Sequence, residues 1–397
     1  MPVGYESLTL IGEKQAVVLD IGTVYTKVGL AGEFVPRAVV RSVLEDWESS
    51  SSVLPTSILG PEQKQRTPEQ QEAILAKFLH NIYYKELLVV PRERRVVVVE
   101  SVLWPAAWRL CLARVLFRRL DAPSVLFAPS HLLATFPLGA PSALVLDLGH
   151  KETLVLPVFE SVVMLNCWEC SGVGGGAVEA KLKRQLLHSA TLQPRQQPPT
   201  PLKQLPAETV SSVLTPRVLE DVKVRACFVT AKDRAQAAPA LDYPTAHGIL
   251  RIPGAVRESA AELLMVEEEE EEEKSIPRLI LDSLLRCPID LRVPLAERVL
   301  VMGGGCMMEG FLSRLKQQLF HLLQQTEYAT RIPLKSFKFF KVPAKENTLA
   351  WLGGSMLGAL EILPHRSVSR EEFLRDGRIP DWTAKIAEAR VTPPSFH

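Results

Sequence analysis

The chain has 397 residues, 47% hydrophobic and 23% charged, the balance of an ordinary globular protein long enough for two domains. Its formal net charge of +1 argues against the strongly basic face that nucleic-acid binding requires. The sequence has no run of about 18 apolar residues able to span a bilayer, and Met1 to Glu13 lacks the basic-then-apolar order of a leader.

From Ala16 to Val43 the text reads strand, turn, strand and a glycine-rich bend. Glu45 to Thr67 is polar, Ser-rich and Pro-containing, which predicts a loop with little core of its own. Glu69 to Leu88 has helical spacing, with Ile74, Leu75, Phe78, Leu79 and Ile82 on one face. Arg95 to Glu100 predicts a buried strand, Trp108 to Leu120 an amphipathic helix, and Ser124 to Phe127 a short strand followed by a helix through Leu133. Strand and helix in alternation predict an α/β class with a mostly parallel, helix-covered sheet.

The pattern restarts at Ser142. Gly172 to Gly176 is a glycine cluster leading into a helix over 177–187, and Gln193 to Pro206, with five prolines, predicts an irregular surface segment. Pro216 to Val229 reads as a helix leading to an apolar strand. Glu267 to Glu273 is seven glutamates in a row, which repel one another and predict a solvated loop. A helix over 276–287 follows, then Val299-Leu300-Val301, Gly303-Gly304-Gly305, Trp351-Leu352-Gly353-Gly354-Ser355, a helix and a polar tail. The six cysteines (111, 167, 170, 227, 287 and 306) read as reduced core residues, so the cytosol is the expected compartment. Cys167 and Cys170 have redox or zinc spacing, but no second pair or nearby histidine completes a metal set.

One motif occurs twice. Val18-Leu19-Asp20-Ile21-Gly22-Thr23 and Val145-Leu146-Asp147-Leu148-Gly149-His150 are apolar strands ending in Asp-x-Gly, and each runs on into a second apolar stretch. That predicts one β-hairpin used twice, with an aspartate and a tight glycine turn at each tip. Turn amides can point at polyphosphate oxygens while two carboxylates hold a hydrated divalent cation. A single Asp-x-Gly is a weak signal; its repetition in matching apolar context is much stronger.

With these residues in view, the chain resembles the actin family. Asp20 to Lys27, Gly29 to Glu33 and Pro36-Arg37-Ala38 resemble the first phosphate hairpin of actins. Asp147-Leu148-Gly149 with Pro157-Val158-Phe159-Glu160 resembles the second. Gly303 to Met307 is similar to the adenosine-side turn, Trp351 to Ser355 to the return segment, and Cys287 to Arg292 adds a local match. The resemblance implies an actin-like fold of two ribonuclease-H-like domains around a nucleotide cleft. The outer domain would use 1–139 plus 348–397, with a reduced second subdomain at about 45–67, and the inner one 140–347 with an acidic insertion at 267–273. It further implies ATP or ADP with a divalent cation, Mg or Ca, held structurally. Asp20 and Asp147 would face the metal. Gly22, Thr23, Lys27, Gly149, Gly175, Lys223, Gly303, Gly304, Gly305 and Met307 would bind the nucleotide. Taken singly, Lys27 and Lys223 would read as surface residues and Met307 as core filler.

The departures from the family pattern imply a poor catalyst. The glutamine that positions water in actins falls at Ser130, and the histidine after the second hairpin at Leu154. His131 is one residue away from the first, but such a shift turns a helical side chain by about 100°. Lys151 and Val24 replace glycines, Val224 replaces the ribose-holding glutamate, and Asn347 a lysine. Hydrolysis depends chiefly on positioning, so no catalytic residue is assigned and the chain is expected to bind nucleotide without efficient turnover. The heptaglutamate run falls near the apolar plug of actin filaments, where desolvating seven carboxylates is prohibitive, so a non-polymerising protein is expected.

Arg94 to Leu103, Phe127 to Leu132, Val163 to Trp168 and Gly377 to Trp382 are similar to the divergent members that cap the pointed end of the actin-like filament of dynactin. That implies a cytoplasmic, cytoskeletal hetero-oligomer serving dynein-driven microtubule transport. Its partners would be the dynactin filament subunits and the other pointed-end subunits, with no nucleic acid and no membrane insertion. Two other readings keep the fold: a nuclear actin-related subunit of a chromatin-remodelling complex, and an active ATPase of the same superfold.

Overall fold

A computed structural model describes residues 14–44, 56–60, 65–195, 198–231, 238–267, 273–334 and 336–380. The chain divides into two compact units, Met1–Gly139 with Thr348–His397, and Ala140–Asn347.

Unit one holds a six-stranded sheet in the order Val368–Ser369, Ser124–Pro129, Val96–Glu100, Val17–Ile21, Tyr25–Leu30, Ala38–Arg41. Val96–Glu100 is buried throughout and parallel to both neighbours, which is why it reads as an unbroken apolar run. One face of the sheet, with Val17, Leu19, Val96 and Val98, shares a core with Leu75, Phe78, Leu79, Leu112 and Phe117 of the helical layer. The other face, with Val18, Val97 and Val99, meets the helix Leu349–Gly358. Glycine is required there: a Cβ on Gly353 would lie 1.8 Å from Leu133 O, so the backbones touch. Trp351 Nε1 donates to Val18 O at 3.2 Å and Ser355 Oγ to Glu33 O at 2.7 Å, fixing that helix to the first hairpin.

Several extents differ from the sequence reading. Thr67 caps the first helix, which runs Pro68–Asn81 and then widens into a π-helical turn, Ile82–Leu87, closed by Leu88 at φ 54°. The helix expected over 108–120 is Ala106–Arg114, followed by a similar wide turn at Val115–Arg119. The segment read as a loop with little core of its own contributes a short strand, Thr56–Ser57, paired with Val43–Leu44, and a fully buried Ile58; its residues 45–55 and 61–64 lie outside the described residues. Glu100 and Arg109 form a fully buried ion pair, and Arg109 Nη2 also donates to Pro380 O at 2.8 Å.

Unit two is built on the sheet Val162–Val163, Thr153–Phe159, Ala143–Leu148, Val299–Met302, with Glu169–Ser171 also paired to Thr153–Phe159. A second sheet orders Thr200–Pro201, Thr191–Gln193, Gly248–Ile252, Leu241–Thr245. The helices Gly175–Ser189, Pro216–Ala226, Ile276–Arg286 and Phe311–Leu323 bury their apolar faces in one core with the first sheet. The proline-rich segment is thus partly ordered: Thr200–Pro201 is a sheet edge and Leu202 is buried, while 196–197 lie outside the described residues. The helix expected to reach Val229 stops at Ala226, and residues 227–229 form no strand. Phe228 and Val229 instead donate their amides to Arg257 O and Glu309 O.

The ends of the glutamate run are exposed, as expected of a solvated segment, but each is also hydrogen-bonded. Glu267 accepts from Arg278 at 3.0 Å, and Glu273 accepts from Ser171 Oγ at 2.7 Å and from the Gly172 amide at 2.8 Å. Residues 268–272 lie outside the described residues. No helix among the described residues is long and apolar enough to cross a membrane.

Candidate functional site

In unit one, Val17–Ile21 and Tyr25–Leu30 pair antiparallel with Asp20 opposite Lys27. Residues opposed across a ladder lie on one face, and Lys27 Nζ sits 3.0 Å from Asp20 Oδ2. The tip is tight: Gly22 N donates to Tyr25 O at 3.1 Å, and a Cβ on Gly22 would lie 2.7 Å from that oxygen. Ser42 Oγ donates to Gly22 O at 2.6 Å and lies 2.8 Å from Thr26 Oγ1, so the strand after the hairpin braces its turn. Thr23 is half-buried at the tip. The motif therefore presents a carboxylate, a lysine already paired to it, and a rigid glycine turn.

In unit two the same motif is more elaborately supported. Ala143–Leu148 and Thr153–Phe159 pair antiparallel, and Gly149 N closes the turn on Glu152 O at 3.0 Å. Val299–Met302 runs parallel beside the first strand with Met302 opposite Asp147, which delivers the glycine turn to the aspartate. A Cβ on Gly303 would lie 2.6 Å from Asp147 Oδ1 and 2.4 Å from Leu148 O, and one on Gly305 2.4 Å from Leu148 Cγ. Gly304 has open space on its Cβ side. Met307 is 44% exposed, which removes the reading of core filler. Cys306 is buried behind the turn, and burial pushes its thiol well above the usual range.

The helix Gly175–Ser189 begins on the hairpin tip. Gly175 N donates to Gly149 O at 2.9 Å and Gly176 N to His150 O at 2.7 Å, so these first-turn amides are committed to the tip. Side chains are excluded: a Cβ on Gly174 would lie 2.7 Å from His150 O. Gly175 leaves room for Lys223, whose Nζ would be 3.3 Å from a Cβ at that position. One helical turn after Gly175, Glu179 accepts from Lys223 Nζ at 2.6 Å and lies 4.0 Å from His150 Nδ1. Burial lowers the His150 pKa from 6.5, aided by Lys223 and opposed by Glu179 and Glu220.

Unit two thus gathers Asp147, Gly149, Gly175, Lys223 and Gly303 to Gly305 around one hairpin tip, while Asp20, Gly22, Thr23 and Lys27 cluster on the corresponding tip of unit one. The sequence reading missed Glu179, His150 and Ser42. Glu179 had one legible signal, its position four residues after Gly175 on the helix. Among the described residues no group of three or more His, Cys, Asp or Glu side chains could hold a metal alone. Within unit two, the open side of Gly304 beside the Asp147 tip leaves space for a ligand.

Three of the positions that depart from the family pattern are apolar or enclosed, while Lys151 is charged and exposed. Leu154 is buried, Ser130 Oγ lies 3.2 Å from Nδ1 of the buried His131, and Val224 is 70% exposed. All six cysteines are free; Cys170 is exposed and Cys167 is buried with its thiol toward Arg286 O, so the pair closes no metal site.

A family model described as Actin matches residues 11–379. Among curated proteins, the chain is 27% identical to Actin-related protein 10 of Dictyostelium discoideum, over 93% of this chain and 89% of that one. It is 23% identical to Putative actin-29 of the same organism, over 91% of this chain and 95% of that one. It is 26% identical to human Actin-like protein 9, over 91% of this chain and 86% of that one.

Proposed function

The chain belongs to the actin family, and on that premise we propose that it is a non-polymerising actin-related protein that holds a structural nucleotide and caps a filament. The reading rests on one observation above others: two like Asp-x-Gly hairpins, each with its aspartate beside a rigid glycine turn, one in each unit. Asp20 and Asp147 would hold the hydrated cation of ATP or ADP. Lys27 and Thr23 would meet phosphate from unit one, the tip at Gly149 from unit two, and Gly303 to Gly305 with Met307 would take the nucleoside side. The cation would neutralise phosphate charge, because Lys27 and Lys223 are each already balanced by a carboxylate, Asp20 and Glu179.

Turnover is expected to be very slow. Support comes from buried Leu154, which offers no polar group to a water, and from Ser130, which is buried with its Oγ 3.2 Å from His131 Nδ1. The filament capped would be the actin-like filament of dynactin at its pointed end, with the other pointed-end subunits as neighbours, in the cytoplasm. Support for this comes from the similarity to Actin-related protein 10 and from the acidic run at 267–273, which is unfit for an apolar filament contact.

Nucleotide extracted from the purified protein should be ATP or ADP, and Asp147→Asn should weaken Mg-ATP binding by about tenfold or more. Single-turnover assays with radiolabelled ATP should give a rate far below that of filamentous actin; a comparable rate would overturn the structural role. Purification from cytosol should bring dynactin components, whereas recovery of a remodelling ATPase would favour the nuclear reading.

A further inference from the structure

Spacing along the chain pairs Cys167 with Cys170, but the fold gives Cys167 a different neighbour. Strand alternation turns Cys170 outward between buried Glu169 and Ser171, whereas Cys167 is buried against the C-terminal end of the helix Ile276–Arg286. Cys287 caps that same end and is buried too. Both sulfurs address carbonyls of one helix end: Cys167 Sγ donates to Arg286 O at 3.4 Å and Cys287 Sγ to Ser283 O at 3.3 Å. Those carbonyls are three residues apart, about 4.5 Å along the axis. Ser283 holds both cysteines, because its Oγ also donates to Cys167 O at 2.7 Å, and Arg292 Nε donates to Cys287 O at 3.0 Å. The two thiols lie within hydrogen-bonding reach of each other. The Cys287 thiol lowers the Cys167 pKa, aided by Arg286 and opposed by burial, while the Cys167 sulfur and burial raise that of Cys287. Cys167 is thus the readier nucleophile of the two.

We propose that Cys167 and Cys287 form a reversible disulfide in response to hydrogen peroxide, tying the segment before the strand Glu169–Ser171 to the helix Ile276–Arg286. The Cys167 thiolate attacks one peroxide oxygen, the O–O bond breaks, and the other oxygen leaves as water, giving a sulfenic acid. The Cys287 sulfur then displaces the sulfenic oxygen, which departs as water with the Cys287 proton. Two thiols and one peroxide give one disulfide and two waters. The site lies within unit two and does not depend on the nucleotide reading. The test treats the full chain with peroxide, blocks remaining thiols and maps the links by mass spectrometry without reduction. Cys167 should be found joined to Cys287, and dithiothreitol should restore all six free thiols. C170S, altered only at an exposed position, should form the same link. In C287S, dimedone should trap Cys167 as its sulfenic acid. Closing a loop on the order of 100 residues should raise Tm by about 5–10 °C in oxidised wild type and C170S, and not in C287S. A Cys167–Cys170 link instead, loss of the link in C170S, or Cys287 left free after peroxide has modified Cys170 would each overturn the proposal.

Discussion

Gly303 carries two demands at once. Its φ is +98°, and any side chain would press on Asp147 Oδ1 and Leu148 O. Gly303→Ala adds backbone strain and a clash, so urea unfolding should show a loss of about 2–4 kcal/mol, whereas Gly304→Ala, with open space, should cost about 1 kcal/mol or less. His150 makes a pH prediction. Burial holds its imidazole below 6.5, so the folded chain favours the neutral ring. The unfolded chain binds the proton more readily, and the stability due to His150 is complete above about pH 6.5 and lost as pH falls toward the depressed folded value. Thermal melts from about pH 7.5 down to about pH 5.5 should therefore cost wild type more than His150→Gln. At this scale the sequence is legible where chemistry and backbone coincide. Asp20 and Asp147 stand out because each closes an apolar strand two residues before a glycine. Glu179 does not, because a glutamate on a helix is ordinarily solvated, and only folding sets it against Lys223 and His150.

Each hairpin gains rigidity from a neighbour distant in sequence. Ser42 braces the first tip, and the helix starting at Gly175 closes on the second through amides of its first turn. A helix N-terminus that spends those donors on a β-turn acts first as a clamp on the turn. The buried pair Glu100–Arg109 similarly ties the central strand of unit one to the helix Ala106–Arg114. Glu100→Gln leaves a buried guanidinium short of its counter-charge and should cost about 3–5 kcal/mol in denaturant unfolding, and Glu100→Leu/Arg109→Met should recover most of it. The wide turns at Ile82–Leu87 and Val115–Arg119 are invisible in the sequence because apolar spacing continues through them at nearly helical period. Residues 227–229 mislead in the opposite sense. Their apolar text fits a strand, but among the described residues they pair with none, and the Phe228 and Val229 amides go to Arg257 O and Glu309 O.

For the whole molecule, strand–helix alternation and the repeated motif carry the α/β class, and the family is legible in strings spread along the chain. What composition cannot convey is which surface-like segments are tied down, as Thr56–Ser57, Leu202 and both ends of the glutamate run are. The cysteines give a whole-chain probe. Cys170 alone is exposed, while burial pushes Cys111 and Cys227 up to about 11. Maleimide labelling near neutral pH should modify one thiol of six quickly and the remainder only on unfolding. The guanidinium of Arg109 has a second consequence through its bond to Pro380 O. A carbonyl acceptor is blind to side-chain identity, so residue 380 is held by its peptide unit and not by its ring. Substitution at that position should leave the attachment intact. One guanidinium thus serves two distant stretches of sequence, and loosening its ion pair should free residue 380 and the central strand together.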